Sequence, residues 1–151
     1  ILPDATIGTD VFCGFHSEDE EDHAQTLSLM KEIGFDMAFM FKYSERPKTL
    51  AERKFKDDVP EEVKGRRLEE IIQIQNQHSK EWNDKEIGQV HQVLIEGPSK
   101  RSQEHLCGRN GRNAMVVFPK CNLVKGTYCY VKINDCTSAT LIGEVVDGPN
   151  A

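Results

Sequence analysis

Apolar residues change rhythm along this chain. Asp10-Val-Phe-Cys-Gly-Phe15 is a short apolar run broken at Gly14, a pattern that suits a parallel strand buried on both faces better than one half in water. From Ser17 the period lengthens, with Ala24, Leu27, Met30 and Ile33 forming a helical stripe. Ser17 or Asp19 can cap that helix, the acids from Glu18 to Asp22 suit its positive end, and Gly34 supplies a left-handed stop. Met37-Ala-Phe-Met-Phe41, continuing to Tyr43, is a second apolar run, so residues 10–43 predict a β-α-β unit with a right-handed crossover. Two parallel strands and one helix leave both sheet edges unpaired and one face bare, so the unit calls for neighbours, an upstream α/β sheet being the simplest.

Ser44 to Thr49 is a polar loop broken by Pro47 at the carboxyl end of the second strand, where α/β folds place ligand sites. A long helix follows, with Pro60 in its first turn and Val63, Leu68, Ile71, Ile72, Gln75, His78 and Trp82 at helical spacing to about Asp84. Trp82 reads as a core or interdomain anchor in preference to a platform for bases. Beyond Gly88 the segments shorten to Val90–Ile95, His105–Arg109, Ala114–Phe118, Tyr128–Ile133 and Leu141–Val146. Turns are expected at 97–99, 109–112, 125–126 and 135–138. Five short strands predict a small antiparallel barrel of OB-like type. The resulting division is 1–88, α/β, and 89–151, all-β.

Charge sharpens that division. The net charge of −6 averages two unlike parts: residues 1–88 carry 12 Lys and Arg against 20 Asp and Glu, while residues 89–151 carry 7 against 5. Between Pro98 and Lys132, the cations Lys100, Arg101, Arg109, Arg112, Lys120, Lys125 and Lys132 meet only Glu104. A positive face of this kind is rewarded by phosphate neutralisation and counterion release, and it points to nucleic acid. Phe118, Tyr128 and Tyr130 could stack on bases, but alternate strand positions also fill a barrel core, which is the commoner role. No apolar run reaches membrane-spanning length. Ile1-Leu2-Pro3-Asp4 reads as mid-chain sequence, and five cysteines without a CxxC or a secretory signal suggest reduced thiols in the cytoplasm. Cys107, Cys121, Cys129 and Cys136 lie 14, 8 and 7 residues apart, without the close pairs usual in structural zinc sites, so small core side chains are the preferred reading.

The acids from Glu18 to Asp22, with His16 and His23, could hold a metal, but a helix start explains them. Glu18 stands apart because it follows Gly14 at a strand's carboxyl end, where a carboxylate can reach a ligand. Arg46 occupies the matching place after the second strand, either as a phosphate or carboxylate binder or in a surface ion pair with Glu45 or Asp58. No catalytic triad, P-loop or dinucleotide fingerprint is present.

Asp10-Val-Phe-Cys-Gly-Phe-His-Ser-Glu18, followed by Glu20-Glu21-Asp22 and Thr26-Leu27, resembles the DVIxGFPGET-EED-TL segment of the MiaB-type tRNA methylthiotransferases, which are radical S-adenosylmethionine enzymes. The likeness continues through Phe39-Met-Phe-Lys-Tyr-Ser-Glu-Arg-Pro47, Asp58-Val-Pro-Glu-Glu-Val-Lys64, Arg67-Leu68, Gln75-Asn76, Val93-Leu-Ile-Glu-Gly-Pro-Ser-Lys100, Leu106-Cys-Gly-Arg109, Val117-Phe-Pro119 and Gly143-Glu144. It implies the carboxyl-terminal part of a radical-SAM partial (β/α) barrel followed by a tRNA-binding TRAM domain. The whole enzyme would use S-adenosylmethionine and two [4Fe-4S] clusters, with the missing amino-terminal part of the same chain as partner. Gly14, Glu18, Ser44 and Arg46 are the implied cofactor and substrate-site residues. The seven cations from Lys100 to Lys132 are the tRNA-contact candidates. The wording is closest to the branch acting on an isopentenylated adenosine beside the anticodon. Sisters acting on a threonylcarbamoylated adenosine or a ribosomal protein, and a non-catalytic RNA-binding module, are the alternatives. The family's Pro-Gly before the Glu is His16-Ser17 here, and its Gly after Arg-Pro is Lys48, so backbone freedom is lost at both turns. The cluster-binding CxxxCxxC and the three auxiliary cysteines are absent, and none of the five cysteines present matches them. The residues as given should therefore be inactive alone.

Overall fold

A computed structural model describes residues 5–149; the Ile1–Asp4 stretch read as mid-chain lies outside them. The chain divides into two compact units, Ile7–His78 and the residues from Ser79 on, whereas the composition change had suggested a boundary near 88.

In the first unit, β1 (Gly8–Cys13) and β2 (Met37–Lys42) run parallel, in register from Gly8↔Met37 to Cys13↔Lys42. Between them α1 (Glu20–Ile33) starts on Asp19, whose side chain accepts from the Glu21 and Asp22 N–H groups while Asp22 reaches back to the Asp19 N–H. This capping box ties up backbone donors that a helix start leaves free, and Gly34 ends the helix at φ 63°. Half of the expected apolar stripe, Leu27 and Met30, faces the core. His23 and Met30 are buried with Leu27 against them, while Ala24 and Ile33 face water.

The strands are covered on one face only, as expected of two parallel strands and one helix without neighbours. Cys13, Met30, Phe35 and Ile71 form the core with Val11, Ala38 and Met40, so one side of the sheet packs on helices. The other side presents Phe12, Phe39 and Phe41 at 54–57% exposure, with Met37 beside them. An apolar run records apolar residues on both faces; it does not record which face these 151 residues cover. Among the described residues the two outer strand edges are likewise unpaired.

A short helix α2 (Leu50–Lys54), which the sequence pattern does not announce, is capped by the Thr49 side chain. The long α3 (Glu61–Lys85) buries Lys64, Arg67, Ile71 and Gln75. Its inward stripe therefore opens with two cations where Val63 and Leu68 had been expected to lead.

The second unit holds β3 (Val90–Ser99), β4 (Ser102–Asn110), β5 (Met115–Pro119), β6 (Tyr128–Cys136) and β7 (Leu141–Val146). The expected turn at 97–99 lies inside β3, which bends there through irregular pairing, and the hairpin turns at 99–102 instead. The ladder runs β3-β4-β5-β7-β6 and β6 pairs again with β3, so every strand has two neighbours. The sheet is mixed, which corrects the all-antiparallel expectation. β5 and β7 run parallel, and their seam is only Val116↔Leu141 and Val117↔Ile142. Val93, Ile95, Leu106, Val116, Phe118, Cys129, Val131, Ile133, Cys136 and Leu141 fill the interior. Two glycines let strands approach: a Cβ at Gly108 would strike the Leu94 carbonyl, and one at Gly143 the Lys132 carbonyl.

Candidate functional site

The carboxyl end of β1 turns sharply, and a set of polar groups holds it. Gly14 takes φ 79° and donates its N–H to Glu18 Oε2 at 2.8 Å. Arg67 Nη1 donates to Glu18 Oε1 (2.8 Å) and to the Glu18 carbonyl (3.0 Å), and Nη2 to Glu20 Oε1 (2.8 Å). Burial works against the Arg67 charge, but the bonds to Glu20 and Glu18 outweigh it and raise its pKa. The same contacts hold the Glu20 carboxyl below the usual carboxylate range.

Lys64 completes the support. Its stem lies where a Gly14 Cβ would go, so position 14 admits no side chain without moving it. Its ammonium, 1% exposed, donates to both Asp57 oxygens at 2.7 and 2.6 Å and lies 5.5 Å from the Tyr43 ring centroid. Burial opposes this charge too, and Asp57 overcomes it, so the Lys64 pKa is raised. Cys13 Sγ lies 3.6 Å from the Lys64 carbonyl, and burial, helped by Glu18, pushes its thiol up to about 11. That thiol stays protonated at neutral pH and is a packing group.

His16 bridges the Tyr43 hydroxyl (2.9 Å) and the Lys56 carbonyl (2.8 Å), and His23 pairs with Glu70 at 2.8 Å. The acidic cluster is thus accounted for by the helix cap and by cations. Lys64 and Arg67 enter the sequence reading only as matches to the family segments, because the stripe of the long helix is read from its apolar residues. Their spacing with Ile71 and Gln75, at 64, 67, 71 and 75, is the signal that places all four on one helix face.

After β2, Ser44 and Arg46 are exposed, and neither side chain has an ion pair or hydrogen bond among the described residues. Asp58, one suggested partner for Arg46, instead accepts from the Ser17 N–H at 2.8 Å, which lowers its pKa. The turns on each side carry strain: Ser17 has φ 62° and Lys48 φ 70°, each the third residue of a turn closed by Glu18 N–H to Phe15 O or Thr49 N–H to Arg46 O. The glycine-like conformations are therefore kept without the glycines.

The seven cations of the second unit separate into two groups. Arg112 donates to Glu86 Oε1 at 2.8 Å and lies 5.0 Å from the Trp82 ring centroid, with Lys85 also over that ring at 4.2 Å. Arg109 donates to the Asn113 carbonyl (2.8 Å) and pairs with Glu96 (3.3 Å). Both arginines brace the turn at 110–113, where buried Asn110 accepts from the Arg112 and Ala114 N–H groups. Lys100, Arg101, Lys120 and Lys125 are exposed and Lys132 half-buried, all without ion pairs among the described residues. Of the strand aromatics, Phe118 belongs to the core, but Tyr128 is 62% exposed, which overturns the core reading for it.

Residues 84–146 match the TRAM domain model. Over 150 residues, 99% of this chain, the sequence is 56% identical to the tRNA-2-methylthio-N(6)-dimethylallyladenosine synthase of Porphyromonas gingivalis strain W83. The proteins of the same name from Phocaeicola vulgatus and Amoebophilus asiaticus are 53% and 56% identical over 97% and 94% of the chain. The match spans 32%, 32% and 29% of these three curated relatives, so the chain is about a third of their length. No helix among the described residues is long and apolar enough to cross a membrane.

An iron–sulfur cluster does not fit these residues. Among those described, no three His, Cys, Asp or Glu side chains group as metal ligands, and Cys13, Cys129 and Cys136 are buried, the last with its thiol on Asp84. At the end of β1, the Gly14 N–H and both Glu18 oxygens are already engaged, whereas Ser44, Glu45 and Arg46, just after β2, are exposed with no side-chain partner among the described residues.

Proposed function

We propose, from homology to the MiaB-type tRNA methylthiotransferases along nearly the whole chain, that these residues serve an enzyme that methylthiolates an isopentenylated adenosine of tRNA. The observation that carries this reading is 56% identity over 150 residues to a synthase whose name states that product. In it, the first unit is part of a partial (β/α) barrel. Its unpaired strand edges accept further strands, and its bare phenylalanine face becomes an interior wall. Ser44 and Arg46 offer a hydroxyl and a guanidinium to a carboxylate or phosphate at the rim, and Gly14 and Glu18 shape the turn beside them. S-adenosylmethionine, when bound, supplies the radical precursor, and the two [4Fe-4S] clusters take cysteines from residues other than these 151. The TRAM unit binds tRNA, with Lys100, Arg101, Lys120, Lys125 and Lys132 offered to phosphates and Arg109 and Arg112 at the edge of that surface.

Deleting the gene and analysing digested tRNA by mass spectrometry tests the reading. Loss of the methylthio-isopentenyl nucleoside, with its isopentenyl precursor accumulating, is the expected result. Retention of the methylthio form would overturn it, and loss of a methylthio-threonylcarbamoyl nucleoside instead would favour the sister activity.

A further inference from the structure

We infer that the outward face of β6 is a stacking track for a single-stranded RNA loop, with Tyr128 and Tyr130 under successive bases and the adjoining basic loops on its phosphates. The inference rests on the tRNA-binding reading of this unit and assigns the surface that makes the contact.

Cys129, Val131 and Ile133 point into the core, so their alternates Tyr128, Tyr130 and Lys132 point out. The core is complete without the tyrosines. Tyr128 lies across from Leu94, itself 36% exposed, which widens the apolar platform. Two residues along a strand advance about 6.6 Å, a step that unstacked nucleotides can span. Every base offers a π-face to an aromatic ring, so such a track needs no particular sequence. A duplex keeps its bases stacked inside and cannot use it.

The charges lie at one end of that track. Lys125 sits three residues before Tyr128, in a loop tied to β3 by Gly126 N–H to Ile95 O and Ile95 N–H to Thr127 O, both 2.9 Å. β3 leads into the hairpin turn bearing Lys100 and Arg101, and Lys120 joins the same end through its N–H to Glu104 O at 2.8 Å. None of these four cations has an ion pair among the described residues. Of the acids nearby, Glu96 is held by Arg109 and Glu104 stands alone against four cations. At the far end Lys132 faces Glu144 across the ladder, leaving little net charge there. Charge complementarity thus directs the phosphate backbone to the loop end.

The 151-residue chain can be titrated, by fluorescence anisotropy, with a labelled RNA hairpin bearing an unpaired loop and with a fully paired duplex. Tyr128→Leu should weaken hairpin binding about tenfold and leave duplex binding and the salt slope unchanged, while Tyr128→Phe binds as the parent does. Replacing Lys100, Arg101 and Lys125 by Ala should flatten the log–log salt slope by roughly 2, at about 0.7 per lost contact. An unchanged melting temperature in Tyr128→Leu separates lost stacking from lost folding. Equal binding of hairpin and duplex, or full hairpin affinity in Tyr128→Leu, would overturn the track and leave tRNA binding standing. Failure of the parent chain to bind either RNA would bring down both.

Discussion

The unit from Ser79 on and the unit of Ile7–His78 are held together by different means. The first of these curls its strands so that each has two neighbours and turns Phe118, Val131, Ile133 and Leu141 into one apolar interior. The other has a small apolar core, and its deepest helix positions are shared with Lys64, Arg67 and Gln75, each committed to a named partner. Phe35 is the one phenylalanine in that core, while Phe12, Phe39 and Phe41 lie on the uncovered side of the sheet. A closed sheet gains from nearly all of its apolar surface. An open one is held at its loops by ion pairs and leaves its greasiest face for something else to cover.

Two phenylalanines put this contrast to the largest test. Phe118→Ala opens a cavity at a fully buried site and should cost about 3–5 kcal/mol in denaturant unfolding of the sheet. Phe41→Ala, at a position 57% exposed, should stay within about 0.5 kcal/mol. If the two cost the same, the bare face is covered in solution and the contrast fails.

Removing a cation should have the next largest effect. Arg67→Met keeps apolar length on the inward face but leaves Glu18, largely buried, with the Gly14 N–H and no cation; a loss of about 2 kcal/mol in first-unit stability is expected, limited because Glu20 is open to water. The pH response follows from the same ties. Four first-unit carboxyls are held below their usual range: Glu20 by Arg67 and Arg66, Asp58 by the Ser17 N–H, Glu61 by Lys42, and Glu70 by His23 and Arg66. Stability from a lowered carboxyl pKa is present above the unfolded value, near 4, and is lost as pH falls through the folded one. Among the described residues of the second unit, Asp84 alone is held down in this way, by Lys80 and then the Cys136 thiol. Amide signals from residues 7–78 should therefore disperse less than those of the sheet on acidification below about pH 4. Simultaneous loss in both units would show that the ion pairs do not carry the difference.

The sequence displayed some of these features and hid others. Helix α1 was legible because Asp19, Asp22 and Gly34 act locally, through backbone groups within a few residues. The strands of the second unit were legible from alternation and turn residues, but the parallel β5–β7 seam was not, since strand direction across a ring depends on which distant edges meet. In the site, Glu18 and Gly14 stood out by position. Their supports Lys64 and Arg67 come from 46 to 53 residues away, and composition alone sorts a lysine or an arginine as surface. Tyr128 was sorted with Phe118 because both are strand aromatics. Only the register shows that one points in and the other out.

The smallest predicted effect bears on backbone strain, which the two units also distribute differently. The non-glycine residues with positive φ in the first unit are Ser17 and Lys48, types that resist the left-handed region, whereas the second has Asn113, which tolerates it. Glycine at 17 or 48 removes a Cβ conflict of roughly 1–2 kcal/mol but adds unfolded-state freedom worth roughly 0.5–1. Ser17→Gly and Lys48→Gly should each raise first-unit stability by about 0.5–1 kcal/mol on this balance. The backbone donors survive the change, since the Ser17 N–H still reaches Asp58 and the Lys48 N–H still reaches Glu52 at 3.2 Å. Asn113→Gly should leave the second unit within about 0.5 kcal/mol of its parent. Thermal unfolding of the three variants ranks them. A loss of stability at 17 or 48 would mean that the serine hydroxyl or the lysine stem makes a contact worth more than the strain it imposes.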